Sequence, residues 1–156
     1  MLPRLDPESD LDSSVRKFVD ELRGTSFTGD IETQYSSRLA VATDNSVYQQ
    51  LPQAVVHPKT TDDVSCLARL ANSPRFNSIK FSPRGGGTGT NGQSLTKGIV
   101  VDLSRHMNNV LEINEAEGWV RVQTGVVKDQ LNDAVKSFGY FSLLICPPVI
   151  ERLWVV

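Results

Sequence analysis

The chain has 156 residues, 39% of them hydrophobic and 22% charged, the balance of a soluble globular protein of about one domain rather than a disordered, collagen-like or repeat chain. Sixteen Lys and Arg against eighteen Asp and Glu leave a formal net charge of -2, with no basic block to neutralise a phosphate backbone, so nucleic acid is not an expected partner.

In chain order, the polar, acidic start Asp6-Pro7-Glu8-Ser9-Asp10 does not read as a signal peptide. The longest apolar runs, such as Ile99-Val100-Val101, fall far short of the roughly 20 residues that span a bilayer. A cytoplasmic protein with no transmembrane segment is expected. Val15, Phe18, Val19 and Leu22 repeat at helical spacing behind Asp12 and Ser13, with Gly24 as a stop. From Thr25 to Gln53 the pattern is irregular and polar, which predicts loop with short helical pieces. Ala54-Val55-Val56, closed by Pro58, predicts a buried strand. Thr60 or Thr61 then opens a helix with Val64, Leu67, Ala68 and Ala71 on one face. Cys66 falls near that face and reads as a buried, inert thiol; it and Cys146 lie too far apart, without suitable histidines, to suggest a disulfide scaffold or a zinc site. A strand over Ile79 to Ser82 completes a β-α-β unit, and another follows at Ile99-Val100-Val101. Val110 to Ile113 and Trp119 to Gln123 flank a five-residue hairpin loop, Asn114 to Gly118, in which Glu115 and Glu117 read as solvated. Trp119 is expected in the core. A last helix carries Leu131, Ala134, Val135 and Phe138 and stops at Gly139. The class is α+β or mixed α/β.

Arg84-Gly85-Gly86-Gly87-Thr88-Gly89-Thr90-Asn91-Gly92-Gln93 is the most informative stretch, with five glycines in eight positions directly after a strand. Glycine loses the most entropy on folding, so such density implies positive φ or a backbone that lies against something leaving no room for Cβ. Converging N–H groups, the side chains of Thr88, Thr90, Asn91 and Gln93, and the charge of Arg84 would suit a diphosphate. A flexible surface loop is the plain alternative; the loop's position between two apolar strands, outside any Ser-rich linker, favours the anion site. Gly87 to Gly92 matches G-x-G-x-x-G, but that motif requires a helix whose N-terminus carries the pyrophosphate and which crosses to the next strand. Only Gln93 to Gly98 remain before the next strand, so Asp102 is not the acid of a Rossmann unit. A Walker A loop fails as well, because Lys97 is followed by Gly98. Neither His57, before Pro58, nor His106, after Ser104-Arg105, has a catalytic setting, and each is expected at a polar loop position.

Four ordered motifs carry a family resemblance: Pro52-x-Ala54-Val55-Val56-x-Pro58-x-Thr60-x-x-Asp63-Val64, Pro83 to Thr88, Ile99 to Ser104, and Gly118-x-Val120-x-Val122-x-x-Gly125-Val126. Together they resemble the FAD-binding domain of the vanillyl-alcohol-oxidase or PCMH-type flavoproteins, over about nine tenths of the chain. Within that superfamily the likeness is greatest to the FAD-linked oxidases and dehydrogenases of D-2-hydroxy acids such as D-lactate, glycolate and 2-hydroxyglutarate. The block from Phe27-Thr28-Gly29-Asp30 through Phe141 most resembles the amino-terminal part of a large bacterial member that joins an FAD oxidase to an iron–sulfur region.

The resemblance implies the first α/β subdomain of such a domain, truncated, over residues 52–141, behind an N-terminal helical and loop extension over 1–51. It implies that Arg84 to Gln93 wraps the FAD diphosphate and that Gly125 and Val126 pass close to the flavin. Covalent members carry a histidine in the loop; glycine and threonine stand there in this chain, so FAD is expected to be non-covalent. The reaction implied is hydride transfer from C2 of a D-2-hydroxy acid to flavin N5, leaving a 2-keto acid. The base and the carboxylate-binding arginine belong to later parts of such enzymes. The chain alone is therefore expected to be inactive and to bind FAD weakly or not at all. A non-enzymatic nucleotide or anion module is the rival reading.

The likeness stops after Tyr140-Phe141, and residues 142–156 show no helical or alternating period. One permitted back-translation, with a single T inserted after Tyr140, reads Tyr-Phe-Phe-Ala-Pro-Asp-Leu-Ser-Thr-Ser-Asn-Arg-Ala-Thr-Leu-Gly-Gly-Met. This resembles the family's next motif, so the expectation is a frameshifted, non-native tail.

Overall fold

The computed structural model describes residues 11–140; the readings of the Asp6 to Asp10 start, of Cys146 and of the tail from Ser142 lie outside them. Helix α1 (Ser13–Arg23) turns Val15, Phe18, Val19 and Leu22 inward, as their spacing requires. Next come strand β1 (Asp30–Glu32) and the short helix α2 (Tyr35–Ala40). The sequence pattern does not announce β1, because none of its three residues is fully buried and no alternation can develop over that length. Strand β2 (Ala54–His57) is buried at all four positions.

Helix α3 (Thr61–Ala71) opens on a capping box in which the Thr60 side chain accepts from the Asp63 N–H and the Asp63 carboxylate accepts from the Thr60 N–H. That carboxylate also accepts from the Lys59 N–H at 2.8 Å and from the Thr28 N–H at 2.7 Å. Burial alone would push the Asp63 carboxyl up, but the hydrogen bonds from Thr28, Lys59 and Thr60 outweigh it and hold it below the usual carboxylate range.

After a 3-10 turn (Pro74–Phe76), β3 spans Phe81–Arg84 rather than Ile79 to Ser82. Ile79 is buried ahead of the strand, and its N–H bonds to the Phe76 carbonyl at 2.9 Å. Strand β4 (Ile99–Asp102) is followed by the hairpin of β5 (Val110–Asn114) and β6 (Trp119–Val122) and by α4 (Lys128–Lys136). Phe138 lies beyond the end of α4 and is exposed, so the last helix is shorter than its apolar spacing suggests.

The main sheet has the order β1-β2-β4-β3, with β1 antiparallel to β2 and the other pairs parallel; β5 and β6 form a separate two-stranded sheet. One face of the main sheet buries Ala54, Val56, Ile99 and Val101 against Phe18, Val19 and Leu22 of α1 and Leu67 of α3. The other face buries Val55 and Val100 against Val41. Two covered faces explain why β2 and β4 read as unbroken apolar runs without alternation. Phe18 anchors the main core, edge-on to Phe76 at 5.1 Å and tilted to Phe81 at 5.2 Å. Among the described residues no helix is long and apolar enough to cross a membrane.

Candidate functional site

The parallel register sets His57, Asp102 and Arg84, the last residues of β2, β4 and β3, along one edge of the sheet. The carboxyl edge of parallel strands is where α/β sheets bind ligands. From Arg84 the chain runs through residues 85–98 and returns as β4 parallel to β3, and no helix intervenes. The glycine-rich loop is thus itself the crossover, and a dinucleotide-binding helix of Rossmann type is absent from it.

Two of the five glycines, Gly87 and Gly92, take positive φ, 68° and 73°. Inside the loop the Leu95 N–H bonds to the Gly92 carbonyl at 3.0 Å, the Asn91 N–H to Gln93 Oε1 at 3.0 Å, and the buried Ser82 hydroxyl to the Gln93 carbonyl at 3.0 Å. The backbone N–H groups of Gly85, Gly86, Gly87, Gly89 and Thr90 take up no hydrogen bond among the described residues. Several backbone donors without a partner in one short loop fit a diphosphate, which accepts through several oxygens at once.

Arg84 is engaged within the protein. Its Nη1 donates to the Thr43 carbonyl at 2.9 Å and lies 3.5 Å from the Val41 carbonyl and 3.4 Å from Ser94 Oγ. Ser94 in turn donates to Asp44 Oδ2 at 3.3 Å. This second segment, residues 41–50, is missing from the sequence-derived site. It folds back on itself through a Thr43–Gln49 bridge and a bond from the Gln50 N–H to the Ala42 carbonyl at 2.9 Å. The sequence signal for it is the turn Thr43-Asp44-Asn45-Ser46, in which the Ser46 N–H bonds to Asp44 Oδ1 at 2.9 Å.

Gly125 packs its bare backbone against the turn after β4: its N–H bonds to the Met107 carbonyl at 2.7 Å, and a Cβ there would run into the Leu103 carbonyl. Val126 is buried beside it. The 125–126 segment is therefore fixed by this chain's own 103–107 turn.

The same edge gathers charge. His57 is 3% exposed in β2, not at a polar loop position, and neither ring nitrogen has a hydrogen-bond partner. Burial is the main reason its pKa is lowered, with the Arg105 charge acting the same way against Asp102, Glu32 and Asp30. His106 does lie at the expected polar loop position, in the turn after β4, where its Nε2 is 2.7 Å from Asp30 Oδ2. Arg105 donates to Glu32 Oε1 at 2.6 Å and holds that carboxyl below its ordinary range despite partial burial. Among the described residues no group of three or more His, Cys, Asp and Glu side chains is arranged to hold a metal ion.

Trp119, expected in the core, is half-buried on the hairpin; its Nε1 donates to Glu117 Oε2 at 2.6 Å and the Arg121 guanidinium lies 5.3 Å from its ring. A two-stranded sheet has too little covered face to bury an indole. Glu117 is thereby a partner rather than a purely solvated carboxylate. Cys66 is buried, as its place on α3 predicts, and its thiol lies 3.2 Å from Thr25 Oγ1.

A family model described as FAD binding domain matches residues 52–147. The chain belongs to the FAD binding domain family. D-2-hydroxyglutarate dehydrogenase of Escherichia coli (strain K12) is 55% identical over 141 residues, covering 90% of this chain and 14% of the relative. The enzyme of that name from Pseudomonas putida is 62% identical over 125 residues, or 80% of this chain and 12% of the relative. The chain thus spans about one seventh of the curated relatives it matches. In structure it resembles an alkyldihydroxyacetonephosphate synthase with a TM-score of 0.70 and 22% identity, covering 88% of this chain and 30% of the other, a likeness of fold. The glycine-rich crossover, the carboxyl edge and the Gly125 segment all fall within or beside the stretch that the FAD binding domain model matches.

Proposed function

We propose that the segment Arg84 to Gln93, with Gly125 and Val126, forms part of a non-covalent FAD site in an enzyme that oxidises a D-2-hydroxy acid, D-2-hydroxyglutarate first among them, to the 2-keto acid. The observation that carries this reading is the helix-free crossover at the carboxyl edge of the sheet, in which the backbone N–H groups of Gly85, Gly86, Gly87, Gly89 and Thr90 take up no hydrogen bond among the described residues. The names and identities of the curated relatives support the substrate class.

When bound, FAD supplies the acceptor for the hydride that leaves C2 of the substrate. This chain's own part is binding and placement. The loop donates to the diphosphate, the β3–β4 pairing fixes where the loop begins and ends, and Gly125 lets the 125–126 segment seat on the 103–107 turn. We place the base and the carboxylate-binding group outside the described residues, and the protein in the cytoplasm.

Titration of the chain with FAD, followed by flavin fluorescence and circular dichroism, tests the cofactor site. Quenched flavin emission with a retained fold supports it; because the chain holds only part of the site, the deciding case is a longer protein carrying this domain, and one that folds without retaining FAD overturns it. In a longer protein carrying this domain, anaerobic addition of D-2-hydroxyglutarate should bleach the flavin. A flavin that stays oxidised with every D-2-hydroxy acid would remove the proposed activity.

A further inference from the structure

We propose that Arg84 is a positioning residue: its guanidinium pins the glycine-rich loop to the 41–50 segment, and the diphosphate is left to the loop's neutral backbone donors. This rests on the reading of the loop as a diphosphate site.

Three features lead here. The first is where Arg84 spends its donors. A guanidinium is a rigid fork, so once Nη1 is directed at the Thr43 carbonyl at 2.9 Å, with the Val41 carbonyl and Ser94 Oγ at 3.5 and 3.4 Å, the whole plane is fixed. That plane lies against Gly87, where a Cβ would collide with it. Gly87 is thus bare on the side facing Arg84, and its φ of 68° lies in the left-handed region that glycine adopts without strain.

Charge is the second feature. Ser94 links Arg84 to Asp44, whose carboxylate also accepts from the Ser46 N–H at 2.9 Å. A positive group facing a carboxylate across one hydroxyl already has a counter-charge within the protein, so Arg84 is not an unpaired cation awaiting an anion.

The third feature is that the 41–50 segment holds the loop at two points. Besides Arg84 and Ser94, the Tyr48 ring lies beside Gly92, whose added Cβ would stand 3.1 Å from Tyr48 Cδ2. The attachment therefore spans the loop from Gly87 to Ser94. A glycine-rich loop without such an anchor would lose much entropy on ordering around a ligand, and fixing it beforehand removes that cost from binding.

The test is backbone hydrogen exchange, read by mass spectrometry on the chain and on Arg84→Ala and Arg84→Lys, joined to FAD titration, at low and high salt, of a longer protein carrying this domain and the same substitutions. Arg84→Ala should speed exchange of the hydrogen-bonded amides of the two segments, Ser46, Tyr48 and Gln50 in one and Asn91 and Leu95 in the other, by about tenfold, the size of a lost hydrogen bond to a charged donor, while amides of β2 and β4 keep their rates. Arg84→Lys should not restore protection, because one ammonium cannot reproduce the fixed fork. The loss of FAD affinity in either variant should be the same at both salt concentrations. Unchanged exchange in the two segments, or equal acceleration of the core strands, overturns the inference. So does an affinity loss that lysine repairs and salt abolishes, which would make Arg84 a direct partner of the diphosphate. If a longer protein carrying this domain does not bind FAD, the diphosphate reading fails and the exchange rates still decide the role of Arg84.

Discussion

His57 Nδ1 stands 3.6 Å from Asp102 Oδ2, just beyond hydrogen-bonding distance, and its Nε2 is 3.7 Å from Glu32 Oε2 on the opposite side. A buried imidazole between two carboxylates would gain two charge-assisted partners on protonation, yet burial dominates and lowers its pKa from 6.5. The folded state therefore holds His57 neutral where the unfolded chain has already taken a proton. Linkage gives the sign: the group has no effect well above pH 6.5, and stability falls as pH drops from there toward the lowered folded value. The urea midpoint of the chain should decline between about pH 7 and pH 5, and His57→Leu should flatten that decline. An equal slope in the variant would show that other groups set it.

Asp30 behaves in the opposite range. Its hydrogen bond to His106 and its contact with Lys59, at 2.7 and 3.2 Å, bring its pKa down from 3.8 to about 2. Here the folded state binds the proton less readily than the unfolded chain, so the stabilisation is complete above pH 3.8 and is lost as pH falls toward about 2. Asp30 is 39% exposed, so solvent screening keeps the contribution small. Asp30→Asn should lower the urea midpoint modestly near neutral pH and leave the two proteins alike at about pH 2, which denaturation series at the two pH values would show.

Phe18 is fully buried and meets both Phe76 and Phe81, so it joins α1 to the ends of the α3–β3 connection. Phe18→Ala should cost about 3–5 kcal/mol, through lost burial and the cavity left behind. That is a large part of a small domain's stability. The drop is measurable as a lower Tm, and a shift of only a degree or two would mean that α1 is not part of the cooperative core.

Much of this was legible beforehand where the period of the side chains was long enough to speak. The i, i+3, i+4, i+7 set of α1, the Thr60–Asp63 capping box and the apolar runs of β2 and β4 each point to the element that forms. The glycine density located the loop. Hidden were features that depend on pairing rather than on local pattern. Strand β1 is too short to alternate, and it exists because Asp30, Ile31 and Glu32 align with His57, Val56 and Val55. His57 becomes buried only through its place at the shared edge of β1, β2 and β4. The 41–50 segment reaches the loop across 41 residues of sequence through Arg84, a separation at which composition carries no information.

Gly87 offers the sharpest test of the loop. Its φ of 68° lies in the left-handed region, which costs a residue with a Cβ roughly 1–2 kcal/mol, and a β-branched side chain more. Any Cβ there would also displace the Arg84 guanidinium from the Thr43 carbonyl. Gly87→Val should therefore move the loop's N–H groups out of register with one another, and FAD affinity should fall by about tenfold or more. Lys97, exposed on the far side of the loop near the start of β4, serves as the control, since Lys97→Ala removes a positive charge without touching the turn. Parallel flavin-fluorescence titrations separate two explanations. Weak binding in the valine variant with normal binding in the alanine variant means that backbone geometry holds the diphosphate. The reverse pattern would mean that net positive charge does, and the backbone-donor account of the loop would be withdrawn.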